Sequence, residues 1–252
     1  MKSTEVKSLE HFVKIVTKEM DCGHFVFRGV TNADYALIPS VGRVKVPSSF
    51  DSRQDYEEAI LDRFKRQAYA TIQRQPSDDW EWLALAQHHG MQTRLLDWSF
   101  SPLVALYFAT RPEVSAKDGS VLPIKTDRAV YALHFCKHMY TAPSEKKGPF
   151  DYLKIGVVFP PDVSPRVSGQ SGIFTTQPDP EVEFNTQDAD PEVFPNPVMK
   201  LLVPKRVALD VQKQLFLLGI REHMLFPDLD GFARSNKILF QLAECHTKDR
   251  AK

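Results

Sequence analysis

Leu9, Phe12, Val13, Val16 and Met20 recur at three- and four-residue spacing behind Ser8, which predicts an opening helix with a serine N-cap. The period then changes. His24 to Val30 is short, rich in aromatic and β-branched residues, and followed by Thr31-Asn32-Ala33-Asp34, a turn signal. It reads as a strand with Phe25 and Phe27 on one face and Val26, Arg28 and Val30 on the other. A loop from Pro39 to Ser52 leads to a second predicted helix, Tyr56 to Ile72, with Ala59, Ile60, Phe64 and Ala68 inward. Trp80, Leu83, Ala84 and Gln87 form a third helical stripe, and Gly90 stands where a left-handed C-cap is expected. Thr93 to Ser99 reads as a strand, after which Ser101-Pro102 opens a helix with Leu103, Leu106 and Tyr107 inward.

Further along, Val130 to Phe135 and Val198 to Val203 read as strands. The stretch from Thr176 to Pro195 carries six acidic residues, four prolines and no basic residue, and is expected to be an acidic loop. Two helices are expected at the C-terminal end, Lys205 to Leu218, stopped by Gly219, and Pro227 to Cys245. With no internal repeat and no linker composition, residues 1–252 read as one α+β domain.

Charge narrows the partners. The 32 basic and 32 acidic residues cancel, so stable binding along a nucleic-acid backbone or an anionic membrane is not expected. Cys22, Cys136 and Cys245 are odd in number and far apart, a poor disulfide framework. The N-terminal stretch is mixed in charge, and no run approaches the roughly 18 apolar residues of a membrane span. These features predict a cytoplasmic protein.

Two constellations could carry chemistry. Arg28 lies on a short apolar strand beside Gly29, and a buried guanidinium needs a partner. That partner is either an internal carboxylate such as Asp97 or a phosphate or carboxylate ligand gripped by the guanidinium fork, with Gly29 allowing close backbone approach. The second constellation gathers Gln87, His88, His89, Thr93, Arg94, Asp97, Trp98 and Ser99 at a helix–strand junction. It reads as a ligand-lining site or as a buried polar network that locks the helix to the sheet. Adjacent histidines cannot share one helix face, and the alternating His134, Cys136 and His138 lack a second ligand pair with zinc spacing, so no metal is expected. Glu181 and Glu183 read as solvated charge.

The chain resembles the FRG domain family, whose Phe-Arg-Gly motif is Phe27-Arg28-Gly29 here. Leu85 to Gly90, Thr93 to Trp98 and Ser101-Pro102 through Ala109 match its second signature, and Arg166 to Thr175 its third. Gly219-Ile220 and Leu225 to Gly231 complete the pattern, so the core motifs lie within residues 24–234. FRG domains are similar in motif order to ADP-ribosyltransferases. That resemblance implies a split β-sheet with flanking helices and two C-terminal helices, and an NAD cleft in a toxin, effector or phage-defence protein. Arg28 would then anchor phosphate or ribose. Asp97 and Ser99 would sit on the second core strand, and Gln170 would stand where a transferase has its catalytic Glu. His88, His89, Thr93 and Arg94 would line or support the cleft, and Trp98 could stack on a flat ring. The implied ligand is NAD or another nucleotide-like small molecule, with an unidentified macromolecular acceptor.

Glutamine at position 170 brings no charge to the cationic ribose that forms when the nicotinamide bond breaks. Either Asp97 or Glu181/Glu183 supplies that charge, or the domain binds its ligand with little or no turnover. The contrasting reading is a non-catalytic recognition module in which Arg28 simply pairs with Asp97.

Overall fold

The computed structural model describes residues 2–20, 23–72, 74–111, 113, 115, 117, 120–135, 147–152, 154–159, 172–184, 198–229 and 231–236. They form a mixed α/β architecture around a seven-stranded open sheet. The strands are β1 (Lys2–Glu5), β2 (Phe25–Val30), β3 (Leu96–Ser99), β4 (Arg128–His134), β5 (Gly156–Val158), β6 (Gly172–Thr176) and β7 (Val198–Val203), in the spatial order β1-β7-β4-β2-β3-β6-β5. The helices are α1 (Leu9–Glu19), α2 (Arg53–Ala68), α3 (Asp79–His88), α4 (Pro102–Thr110), α5 (Lys205–Leu217) and the short α6 (Glu222–Leu225), with a 3-10 turn at Val41–Arg43.

Local chemistry sets the helix ends. Ser8, Ser52, Asp78 and Ser101 each accept a hydrogen bond from a main-chain N–H in the first turn of α1, α2, α3 and α4. Gly90 and Gly219 follow α3 and α5 with φ of +87° and +88°, the left-handed geometry that favours glycine.

The central strands are covered on both faces, which alternation along β4 makes visible. Val130 and Ala132 join Phe27, Leu201 and the apolar sides of α1, α4 and α5. Ala129, Tyr131 and Leu133 join Val26, Trp98, Ile173 and Phe184 on the opposite face. A third cluster packs α2 and α3 against Val158 and Phe174. The two predicted faces of β2 are therefore the two faces observed.

Several expectations need correction. The strand predicted from Thr93 begins only at Leu96, because Thr93 is tied elsewhere: its N–H donates to Ser40 Oγ at 3.1 Å and its hydroxyl donates to Gln87 Oε1. Helix α2 starts at Arg53, ahead of the expected Tyr56, and its buried residues are Glu57 and Leu61, with Ile60, Phe64 and Ala68 only partly covered. The face is turned by the ion pair of Glu57 with Arg94, which no periodicity reveals. Strand β1 was not foreseen; its polar sequence pairs in parallel with β7, Lys2 opposite Met199 through Glu5 opposite Leu202. The acidic stretch is partly built. Thr176 ends β6, Gln177 Nε2 donates to the carbonyls of Asp179 and Val182, and Phe184 is buried. Residues 185–195 lie outside the described ones. The last predicted helix is helical at 231–236, and its continuation to Cys245 also lies outside them.

Candidate functional site

The sheet is not uniformly zipped. β2 pairs with β4 at six consecutive positions and β3 with β6 at four, yet β2 and β3 meet only at Phe27 opposite Ser99. Beyond that single bridge the strands part, and a cleft of about 420 Å³ lies there. Its walls come from Arg28, Gly29 and Thr31 at β2, from Asp97 to Ser99 on β3, and from Ala105, Phe108 and Arg111 on and just after α4. Phe226, from the C-terminal part, completes it.

Arg28 spans the gap. Its Nη1 donates to the Asp97 main-chain carbonyl at 2.7 Å and lies 3.4 Å from Asp97 Oδ2. The two side chains are 22% and 61% exposed, so this contact is open to the cleft and not sealed in the core. Arg28 Nε is buried and has no hydrogen-bond partner among the described residues. Gln87 Nε2 donates to Asp97 Oδ1 at 2.5 Å, and Gln87 Oε1 accepts from the Thr93 hydroxyl. A line of polar groups thus runs from Ser40 through Thr93 and Gln87 to Asp97 and Arg28, fixing the carboxylate from behind.

The other expected site residues divide. Ser99 lines the cleft and its Oγ accepts from Ser101 N–H at 3.0 Å, at the start of α4. Gly29 also lines it, and α4 by itself requires a glycine there: a Cβ would stand 1.9 Å from the Ala105 carbonyl oxygen and 2.6 Å from Ala109 N. Trp98 borders the cleft at 3% exposure, its indole donating to Thr175 Oγ1 at 2.9 Å and its ring tilted against Phe184, so the ring is committed to the core. Arg94 is not in the cleft. Its guanidinium makes a two-pronged pair with Glu57 at 2.9 Å on each prong, donates to Pro149 O, and lies over the Phe150 ring. His88 and His89 meet edge to face at the end of α3 and are not among the lining residues. Gln170, Cys136 and His138 lie outside the described residues. Among those described, no three His, Cys, Asp or Glu side chains gather as a metal site would require.

Sequence reasoning did not single out Arg111, Phe108, Phe226 or Glu222 as site residues. Glu222 is buried, and its Oε1 accepts from Arg111 Nη2 at 2.8 Å and Arg234 Nε at 2.9 Å while Oε2 accepts from the Tyr107 hydroxyl. Burial, and then the carboxylate that takes its hydrogen bond, push the Tyr107 phenol far above its ordinary value. The available signal was Arg111 itself, a cation directly after an apolar helix, where the negative end of the helix dipole favours it.

A second hollow, of about 580 Å³, lies along residues 42–53 and Glu181. Its Arg53 is already held by the Val41 and Val44 carbonyls and by Glu181, whose carboxyl that hydrogen bond holds below its ordinary range. The cleft at the parted strands is the better candidate because its cation and carboxylate face open space together.

The model of the FRG domain family matches residues 23–118. Over that segment the chain is similar to the FRG domain. No curated protein and no solved structure matches the chain. The matched segment contains Arg28, Asp97 and Arg111, whereas Glu222 and Phe226 come from beyond it. Among the described residues no helix is long and apolar enough to cross a membrane.

Proposed function

We propose that the cleft binds NAD or a related nucleotide and that the FRG domain acts as an ADP-ribosyltransferase-like protein, transferring ADP-ribose or hydrolysing NAD. The observation that carries this reading is the meeting of Arg28 and Asp97, both partly exposed, in one cleft where β2 and β3 part. A sheet joined by a single bridge also supports the split-sheet classification.

In this reading the two residues divide the work. Among the described residues both contacts of Arg28 run through Nη1, which leaves Nη2 toward an anion such as a phosphate. Asp97 supplies the negative charge that a cationic ribose demands as nicotinamide leaves, and Gln87 keeps its carboxylate aimed. Neither Glu181, bound to Arg53, nor Glu183 lines the cleft. Gln170 keeps the neutral, ribose-directed donor role its motif position implies. An antiphage, toxin or effector role and a cytoplasmic setting belong to the same proposal.

The test is incubation with NAD labelled in its adenylate half, scoring nicotinamide release and transfer to protein, DNA and RNA separately. Nicotinamide release that falls about 10²–10³-fold in Asp97→Asn supports the assignment. Absence of both NAD-dependent thermal stabilisation and nicotinamide release overturns it. A second reading rests on the same pair: because Asp97 already satisfies part of Arg28, the cleft serves recognition without turnover. Thermal stabilisation by NAD with no nicotinamide release is its signature.

A further inference from the structure

We infer that Arg111 is a second anion contact of the cleft, and that the ligand bears two linked phosphates, a diphosphate-bearing nucleotide. The inference rests on the nucleotide reading above and specifies it.

Arg28 and Arg111 line one cleft of about 420 Å³, the first from β2 and the second from the end of α4. Arg111 has a partner in Glu222, but not an exclusive one. The single carboxylate of Glu222 serves both Arg111 and Arg234, at 2.8 and 2.9 Å on the same oxygen, while Tyr107 occupies the other. Two guanidinium charges therefore share one buried negative charge, so Arg111, Arg234 and Glu222 together carry one positive charge. The Arg111 side chain is 36% exposed and lines the cleft. Its Cζ lies 5.8 Å from the centre of the Phe226 ring, and with the Glu222 bond this holds the guanidinium in place before any ligand arrives. A planar fork held in this way loses little freedom when it takes a phosphate in two-pronged fashion. Asp97 pairs with Arg28, whereas Arg111 shares its carboxylate with Arg234. A ligand with one phosphate satisfies one of the two cleft arginines. A diphosphate satisfies both. In this arrangement Glu222 is a positioning residue, acting through Arg111.

The experiment is calorimetric titration of the full chain with ADP and with AMP, which differ by one phosphate. Wild type is expected to bind ADP at least about tenfold more tightly, the worth of one charge-assisted contact. Arg111→Gln is expected to weaken ADP about tenfold, leave AMP unchanged and so erase the preference. Arg111→Lys, which keeps the charge and loses the fork, is expected to fall between. Arg234→Gln shares the Glu222 partner without lining the cleft, and is expected to lower thermal stability while preserving the preference. The inference is overturned if Arg111→Gln and Arg111→Lys retain the wild-type preference, or if Arg234→Gln erases it too. If wild type binds ADP and AMP equally, this inference alone falls. If it binds neither, this inference falls, and the nucleotide reading falls with it only where NAD-dependent thermal stabilisation and nicotinamide release are absent as well.

Discussion

Arg28 Nη1 reaches both the main-chain carbonyl and the carboxylate of Asp97 across the place where β2 and β3 touch at one position only. The contact therefore belongs to the backbone and to the site at once. Arg28→Ala is expected to cost about 1–2 kcal/mol, because a hydrogen bond to a carbonyl is lost while Asp97 stays solvated. The same variant is expected to lose all NAD-dependent thermal stabilisation. Thermal denaturation with and without NAD reads both effects; stabilisation persisting in Arg28→Ala counts against the phosphate role.

Arg94 and Glu57 make the opposite kind of pair, 4% and 2% exposed. Removing either partner alone leaves a charge stranded in the core, so Arg94→Ala or Glu57→Leu is expected to cost about 3–5 kcal/mol. The double replacement Arg94→Met with Glu57→Leu is expected to recover most of that loss. Urea denaturation of the three variants checks it, and equal losses in single and double variants would contradict the pairing.

Gly29→Ala places a methyl group against the main chain of α4, where no rotamer offers relief. A loss of about 3 kcal/mol or more is expected, or failure to accumulate as folded protein. A mild effect, with α4 still packed by hydrogen exchange, would show that α4 can shift away from β2.

His134 gives a pH dependence with a definite sign. Burial, and then the neighbouring His24, hold its imidazole below the ordinary value of 6.5. Between the folded and unfolded values the unfolded chain binds more protons, so stability rises with pH there. The contribution is complete above about pH 6.5 and is lost as pH falls through the lower, folded value. His134 rests edge-on against Phe25 at 5.0 Å, so His134→Phe keeps an aromatic in that place. Unfolding free energies from pH 7.5 to 5 are expected to slope less in the variant, and identical slopes would sink the idea.

How much of this was legible in the sequence depends on range. The N-caps at Ser8 and Ser101 and the stops at Gly90 and Gly219 act over a few residues, and each stands where local chemistry predicts. Arg28 and Asp97 were legible as a pair because an arginine on an apolar strand has few ways to be satisfied. Glu57 as the partner of Arg94, and Glu222 as the partner of Arg111, were not, since only the folded chain brings them together. β1 escaped because an edge strand of Lys-Ser-Thr-Glu has no apolar alternation to read. Gly29 was legible as a place of close approach, but the helix main chain of α4 that approaches it was not.

The parallel pairing of β1 with β7 also bears on how the chain is made. Val6 N–H donates to the Leu202 carbonyl at 2.7 Å, so β1 finds its neighbour only after β7 has been synthesised, nearly 200 residues later. At about 5–20 residues per second, that wait lasts on the order of ten seconds or more. Throughout it the cluster that buries Phe12 and Ile15 of α1 lacks its β7 members Met199, Leu201 and Val203. The nascent chain thus carries an unpaired strand and an incomplete core until β7 is made, a demand on chaperones set by the topology.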